Sequence, residues 1–346
     1  MSYDKIALGK QGAALESQAD PLVSICVTTF NHAAYIREAM DSFLNQIASF
    51  EYEMLVHDDA STDGTTEILK EYASKYPKTV RLFLEKENQW GKGTYKGGYN
   101  RGLLVPNARG KYVAFCEGDD CWLDPHKLQK QVEYLDGHPD VVWSCHAAKV
   151  VDGKTGEEIA TMGMGDIEHD LSQEEIIAHW NVPTASWMYR TGLLAGLADE
   201  WAFDMPASDF PSVLYGSLLG KVHYSPDKMS LYRYQTPGSY TSRTTSGKAQ
   251  LGNCYRWLDM YSAIDQATAN RWHEQFLLAS RAYLRNVLVL DDQTHLTNFA
   301  REGLASLCAA DKLKIFVRRS LRKFGFDLVP IGFGRDAAHR FVKVEQ

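Results

Sequence analysis

The chain alternates between strand-like and helix-like runs, and that order constrains its fold more than any other feature. Leu22–Thr28 is a short β-branched run suited to a buried strand. Ile36, Ala39, Met40, Phe43 and Leu44 then recur at helical spacing and define one apolar stripe. Tyr52–His57 reads as a second strand, and Ile68, Leu69, Tyr72 and Ala73 mark a second helix. Val80–Leu84, Lys111–Cys116 and Val141–Cys145 complete five strands. Alternation of this kind predicts a mainly parallel sheet with helices on both faces. Ligands of such sheets bind beyond the carboxyl ends of the strands. Two of those ends are acidic: Asp58-Asp59-Ala60-Ser61-Thr62-Asp63-Gly64 follows the second strand, and Glu117-Gly118-Asp119-Asp120 follows the fourth.

The remaining punctuation sets the domain organisation. Asp124 as N-cap and Pro125 at the first helical position predict a helix that buries Leu128, Val132 and Leu135 and stops at Gly137-His138-Pro139. A hairpin around Asp152-Gly153 follows, then a helix near Ser172–Trp180 and a strand over Ala185–Tyr189. Residues 208–219 read as helical and Val222–Tyr234 as extended. The segment Gln235–Lys248, rich in Pro, Gly, Ser and Thr, reads as a loop, and 249–323 as helices only. The expected division is an N-terminal extension (1–20), an α/β domain (21–245) and a helical C-terminal region (246–346).

Composition narrows the function. A formal net charge of −7 over 346 residues argues against general affinity for nucleic acid, which needs basic surface. Six scattered cysteines without CxxC spacing fit reduced thiols in a cytoplasmic protein rather than a disulfide or zinc framework. Met1–Asp20 holds no apolar core of signal-peptide length, and no apolar run approaches the ~18 residues of a membrane span.

Asp119 and Asp120 at a strand end have three readings: a helix cap, surface ion pairs, or a site for a hard cation such as Mg²⁺ or Mn²⁺ with substrate phosphates. The second acidic pair, Asp58-Asp59, ends a strand of the same sheet and would face the same crevice. At this point the residues resemble a known family. Val23-Ser-Ile-Cys-Val-Thr-Thr-Phe-Asn31, Val56-His-Asp-Asp-Ala-Ser-Thr-Asp-Gly-Thr65 and Gly110-Lys-Tyr-Val-Ala-Phe-Cys-Glu-Gly-Asp-Asp-Cys-Trp122 are similar to family 2 glycosyltransferases of the GT-A fold, in order and spacing. The similarity runs from about Pro21 to Ser242.

The resemblance implies a role for each matched position. Thr28 and Phe30 would contact the nucleotide base, and Asp59 would accept a hydrogen bond from a uracil-type imide N–H. Asp119 would bond the ribose, and Asp120 would ligate a Mn²⁺ or Mg²⁺ that bridges the diphosphate. Asp209, in Ser208-Asp209-Phe210-Pro211, would be the catalytic base, and Leu231-Tyr232-Arg233 resembles the Tyr-Arg ending of the domain. The implied function is inverting transfer of a sugar from a nucleotide donor, UDP-linked by the resemblance, to a glycan or lipid-linked acceptor. Such an enzyme would work at the cytoplasmic face of the membrane, in surface polysaccharide assembly.

Some positions depart from the pattern. Cys121 stands where relatives often carry an aromatic residue, and Gln235 where many carry histidine. Asn253-Cys-Tyr-Arg-Trp257 and Thr268-Ala-Asn-Arg-Trp272 lack the glutamine of the processive QxxRW motif, which implies a non-processive enzyme. A sugar-nucleotide pyrophosphorylase is a rival, but Thr28-Thr-Phe-Asn-His32 lacks its Gly-rich, Arg-containing loop. A catalytically inactive glycan-binding or scaffold protein is a second; retention of Asp59, Asp119, Asp120 and Asp209 speaks against it.

Other features carry weaker expectations. Gly91–Gly98 reads as a loop over the donor site, with Lys92 as a candidate phosphate contact, and His57 as solvent-facing or capping. In 312–324, Leu313, Phe316, Val317, Leu321 and Phe324 share one face of a helical wheel. Lys312, Lys314, Arg318, Arg319, Arg322 and Lys323 line the other, with Ile315 intruding. Such a helix either lies on anionic membrane or docks on its own domain with a solvated basic face.

Overall fold

The computed structural model describes residues 20–95, 98–197, 201, 209–236, 239, 247–290, 296–323, 326–331 and 338–343, with side chains given outside 247–248 and up to 320. The N-terminal extension before Asp20, Ser208, Phe324 and most of the 235–248 loop lie outside them.

The first half follows the expected alternation: β1 Val23–Thr29, α1 Ile36–Leu44, β2 Tyr52–Asp58, α2 Thr65–Lys75 and β3 Val80–Leu84. A π-helical turn, Asn100–Leu104, runs into the short α3 Val105–Asn107, and β4 Tyr112–Glu117 and β5 Cys121–Trp122 follow. Next come α4 Lys127–Gly137, β6 Val141–Asp152, β7 Glu158–Met162, β8 His169–Leu171, α5 Gln173–His179, β9 Met188–Arg190, α6 Asp209–Leu219 and β10 Lys221–Tyr234. The sheet order is β3-β2-β1-β4-β9-β6-β10-β5, with β7 on β6 and β8 on β10. The strands β3, β2, β1 and β4 are parallel, as predicted. Beyond β4 the sheet is mixed: β9 is antiparallel to both neighbours, while β6 and β10 run parallel.

Helix α4 starts later than the sequence predicts, at Lys127 with His126 as its N-cap residue. Asp124 instead closes the preceding turn, accepting His126 N–H at 2.8 Å, and pairs with Lys130. Helix α5 carries the stronger signal, a full capping box between Ser172 and Glu175.

Buried residues cover both sheet faces. Val23, Ile25 and Val27 of β1 join α1 and α4 residues in one core, while Cys26 joins Phe115, Trp143 and Tyr189 on the other side. Period-two alternation within one strand thus supplies two cores. Phe43 of α1 is fully buried with its ring edge-on to Trp122, so Phe43→Ala would cost about 3–5 kcal/mol. All six cysteines are free, five of them buried.

Helices α7 Gly247–Ala267, α8 His273–Leu290, α9 Asn298–Ala305 and α10 Ala309–Lys323 make 249–323 largely helical, as read. A two-stranded antiparallel ladder, β11 Phe326–Ile331 with β12 Ala338–Lys343, follows them and was not foreseen. Tyr261 of α7 and Phe276 of α8 pack on Phe210, so the helical region fixes the start of α6. Among the described residues no helix is long and apolar enough to cross a membrane.

Candidate active site

The carboxyl ends of β1, β2 and β4 lie side by side. Thr28 pairs with His57 on one flank and with Glu117 on the other. The pairing continues past the strands: Asp59 N–H donates to Thr29 O, and Gly118 N–H to Thr28 O. Asn31, Ala60 and Gln235, just beyond β1, β2 and β10, all have left-handed backbone at φ 56°, 60° and 59°. Non-glycine residues rarely adopt that conformation, and such strain concentrates where a site is being shaped.

The first acidic pair divides its work. Asp58 accepts from Ser61 and Thr66 and builds its own loop. Asp59 is buried; its Oδ1 takes Gln89 N–H at 2.7 Å and its Oδ2 takes the Tyr99 phenol at 2.6 Å. Burial and that contact push the Tyr99 pKa up. His57 is fully buried, not solvent-facing as the sequence suggests, and stacks on Tyr99 at 4.2 Å. Desolvation lowers its pKa and holds the ring neutral, against the opposing pull of Glu85 and Asp59. Lys92 pairs with Glu87.

The second acidic motif is braced from the far end of the domain. Gly118 lets it lie against β1, because a Cβ there would stand 2.8 Å from the Thr29 hydroxyl and 2.9 Å from Ile36. Asp120 is buried and its Oδ1 accepts Arg233 N–H at 2.8 Å. The Arg233 guanidinium donates to Asp119 O and to Glu38, and lies over the Tyr35 ring. Asp119 Oδ2 accepts the Thr236 hydroxyl at 2.7 Å, and its Oδ1 stands 3.8 Å from His32 Nε2.

Charge accumulates here. Burial first, then the negative charges of Asp209 and Asp119, push Glu117 up to about 8. Desolvation also raises Asp209, although its side chain is accessible to solvent. The effect of Asp209 on Glu117 places the start of α6 near the end of β4. Among the described residues no three His, Cys, Asp or Glu side chains converge as a ready-made cage. Sites for Mg²⁺ or Mn²⁺ on phosphates commonly use one or two carboxylates and complete the shell with substrate oxygens and water. A clustered set of oxygen donors, one of them raised by its neighbours' charge, fits that chemistry.

Thr28, Asp119, Asp120 and Asp209 therefore gather at one end of the sheet, with Asp59 one strand away and Phe30 half-buried just past β1. Glu117, Tyr99 and Thr236 were missed. Glu117 had a signal, since it lies two residues before Asp119 at the end of a strand.

The family model described as Glycosyl transferase family 2 matches residues 24–194. Residues 24–194 belong to glycosyltransferase family 2. An uncharacterised protein of Mycobacterium tuberculosis (strain H37Rv) is 34% identical over 229 residues, 64% of this chain and 62% of that protein. An uncharacterised glycosyltransferase of a Nostoc species is 27% identical over 69% of this chain and 72% of its own. Among solved structures, Staphylococcus aureus TarS 1–349 in complex with UDP-GlcNAc aligns over 93% of this chain and 99% of its own, at TM-score 0.52 and 17% identity. The mannosyltransferase PcManGT from Pyrobaculum calidifontis, in complex with GDP-Man and Mn²⁺, aligns over 88% of each chain at TM-score 0.51 and 16% identity. At those identities the likeness is one of fold. The matched segment ends before Asp209, Arg233 and Thr236.

Proposed function

We propose that the protein transfers a sugar from a nucleotide diphosphate donor, UDP-linked, to an acceptor hydroxyl with inversion at the anomeric carbon. The observation that carries this is the Glu117–Asp119–Asp209 cluster, in which burial and like charge raise Glu117 to about 8. TarS and PcManGT, which share the fold, are described with UDP-GlcNAc and with GDP-Man and Mn²⁺.

Asp59 and Thr28 hold the base, and Asp119 meets the ribose and diphosphate side. The metal role, which the resemblance gives to Asp120, falls better on Asp119 and Glu117. Asp120 is buried and already accepts the Arg233 N–H, so it holds the motif in place. A bound Mn²⁺ or Mg²⁺ would neutralise the charge developing on the departing diphosphate. Asp209, raised by desolvation, takes the proton of the attacking hydroxyl from the opposite side. A single displacement inverts the centre. The acceptor is a glycan or lipid-linked glycan of surface polysaccharide assembly, met at the cytoplasmic face of the membrane with peripheral contact through 312–324.

Calorimetry with UDP in Mn²⁺ or in chelator, followed by a transfer assay over a panel of UDP-sugars, tests this. Metal-dependent UDP binding with turnover is expected. Nucleotide binding without transfer or hydrolysis would favour an inactive glycan-binding relative.

A further inference from the structure

Among its described side chains, helix α10 docks on the protein through Asp311, Ile315, Arg318 and Arg319. Ile315 is buried and clusters with Val289 and Leu307. Asp311 pairs with Arg285, Arg318 donates to Asn286, and Arg319 Nε donates to Leu288 O. The residue that breaks the helical-wheel pattern is thus the one that docks. Leu313, Phe316 and Val317, at i, i+3 and i+4, form the outward face and are 62%, 68% and 38% exposed. Exposed Lys312 and Arg319 flank that stripe on one side and exposed Lys314 on the other. Beneath the Lys312–Arg319 flank lies a cavity of about 320 Å³, floored by Leu288, Leu304, Leu307 and Ile315.

An apolar stripe turned directly away from its own domain, with cations on both flanks, is the arrangement of a helix lying in the plane of a membrane interface. The whole chain carries an excess of acid, with a net charge of −7, so the local positive charge of α10 selects an anionic surface. We propose that α10 inserts Leu313, Phe316 and Val317 into an anionic bilayer, with Lys312, Lys314 and Arg319 at the headgroups. The cavity beside it then takes part of one acyl chain whose phosphate pairs with Lys312 and Arg319. This deepens the membrane contact proposed above and rests on that reading, but not on the identity of the nucleotide.

The test is sedimentation of the full chain with phosphatidylcholine vesicles, with and without phosphatidylglycerol, over a range of salt. Binding to the anionic vesicles alone is expected, weakening as salt rises. Leu313→Ser with Phe316→Ser should lower the partition coefficient at least tenfold, and so should Lys312→Glu with Lys314→Glu. All four side chains are exposed, so both variants should melt like the parent and bind UDP as the parent does, whatever that affinity is. Absence of binding to anionic vesicles at low salt would overturn the proposal. So would unchanged partition of the Leu313/Phe316 variant, which would reduce the contact to surface attraction. A dimer in sedimentation velocity that the same variant dissolves would also overturn it, by assigning the face to a second copy.

Discussion

Tyr99 donates its phenolic hydrogen to Asp59 Oδ2 at 2.6 Å, while Gln89 N–H occupies Oδ1. The carboxylate assigned to the nucleotide base is therefore already satisfied by the loop that follows β3. A base must share those oxygens or displace a donor.

Tyr99→Phe removes the competitor and leaves the ring stacked on His57. It is expected to tighten UDP binding while changing stability by about 0.5–1.5 kcal/mol. Asp59→Ala should weaken UDP by about 1.5–3 kcal/mol and spare adenosine nucleotides. Calorimetry reads both, and equal losses for the two bases would move base recognition elsewhere.

The carboxylates of the second motif should separate by role. Glu117→Gln and Asp119→Asn are expected to abolish the effect of Mn²⁺ on UDP binding. Asp120→Asn, which keeps an oxygen for the Arg233 N–H, should retain it in part. A complete loss confined to Asp120→Asn would return the metal role to that residue.

Asp209→Asn should bind UDP normally and lose about 10²–10⁴-fold in transfer rate, the range for a general base. Near-parental turnover would place the proton acceptor elsewhere.

Lys127 supplies a pH test away from the acidic strand ends. It is fully buried, bonded to Gln131 and set over the Trp122 ring, and desolvation lowers it from its usual value to about 7. Between about pH 7 and the unfolded value near ~10.4 the unfolded chain holds the extra proton. Stability should therefore gain up to about 1.4 kcal/mol per pH unit from this group as pH rises above 7. Denaturant melts of the parent and Lys127→Met at pH 7 and 9 measure it; the variant should lack that increment.

The parallel half of the sheet was legible because β1, β2 and β4 are buried on both faces, and the apolar runs of β2 and β4 end abruptly in acid. The start of α4 was misread: Asp124 and Pro125 look like a helix opening, but the chain first makes a turn closed by Asp124. Glu117 was passed over because adjacent carboxylates drew attention, although alternate residues share a strand face. Ile315 was misjudged because a helical wheel sorts residues by polarity and knows nothing of where the neighbouring helices lie. The Asp59–Tyr99 bond spans 40 residues through a loop with no strong pattern of its own.

The bonds that brace Asp119 and Asp120 come from Arg233 and Thr236, across 113 to 117 residues. A nascent chain therefore emerges from the ribosome with the second acidic motif exposed well before its supports exist. Such distant pairings form late, after the loop between them has been closed at an entropic cost. A fragment cut at residue 194 would carry every motif that marks the family, yet hold its second acidic end unbraced and lack Asp209. Maturation of the site is thus timed by the arrival of β10.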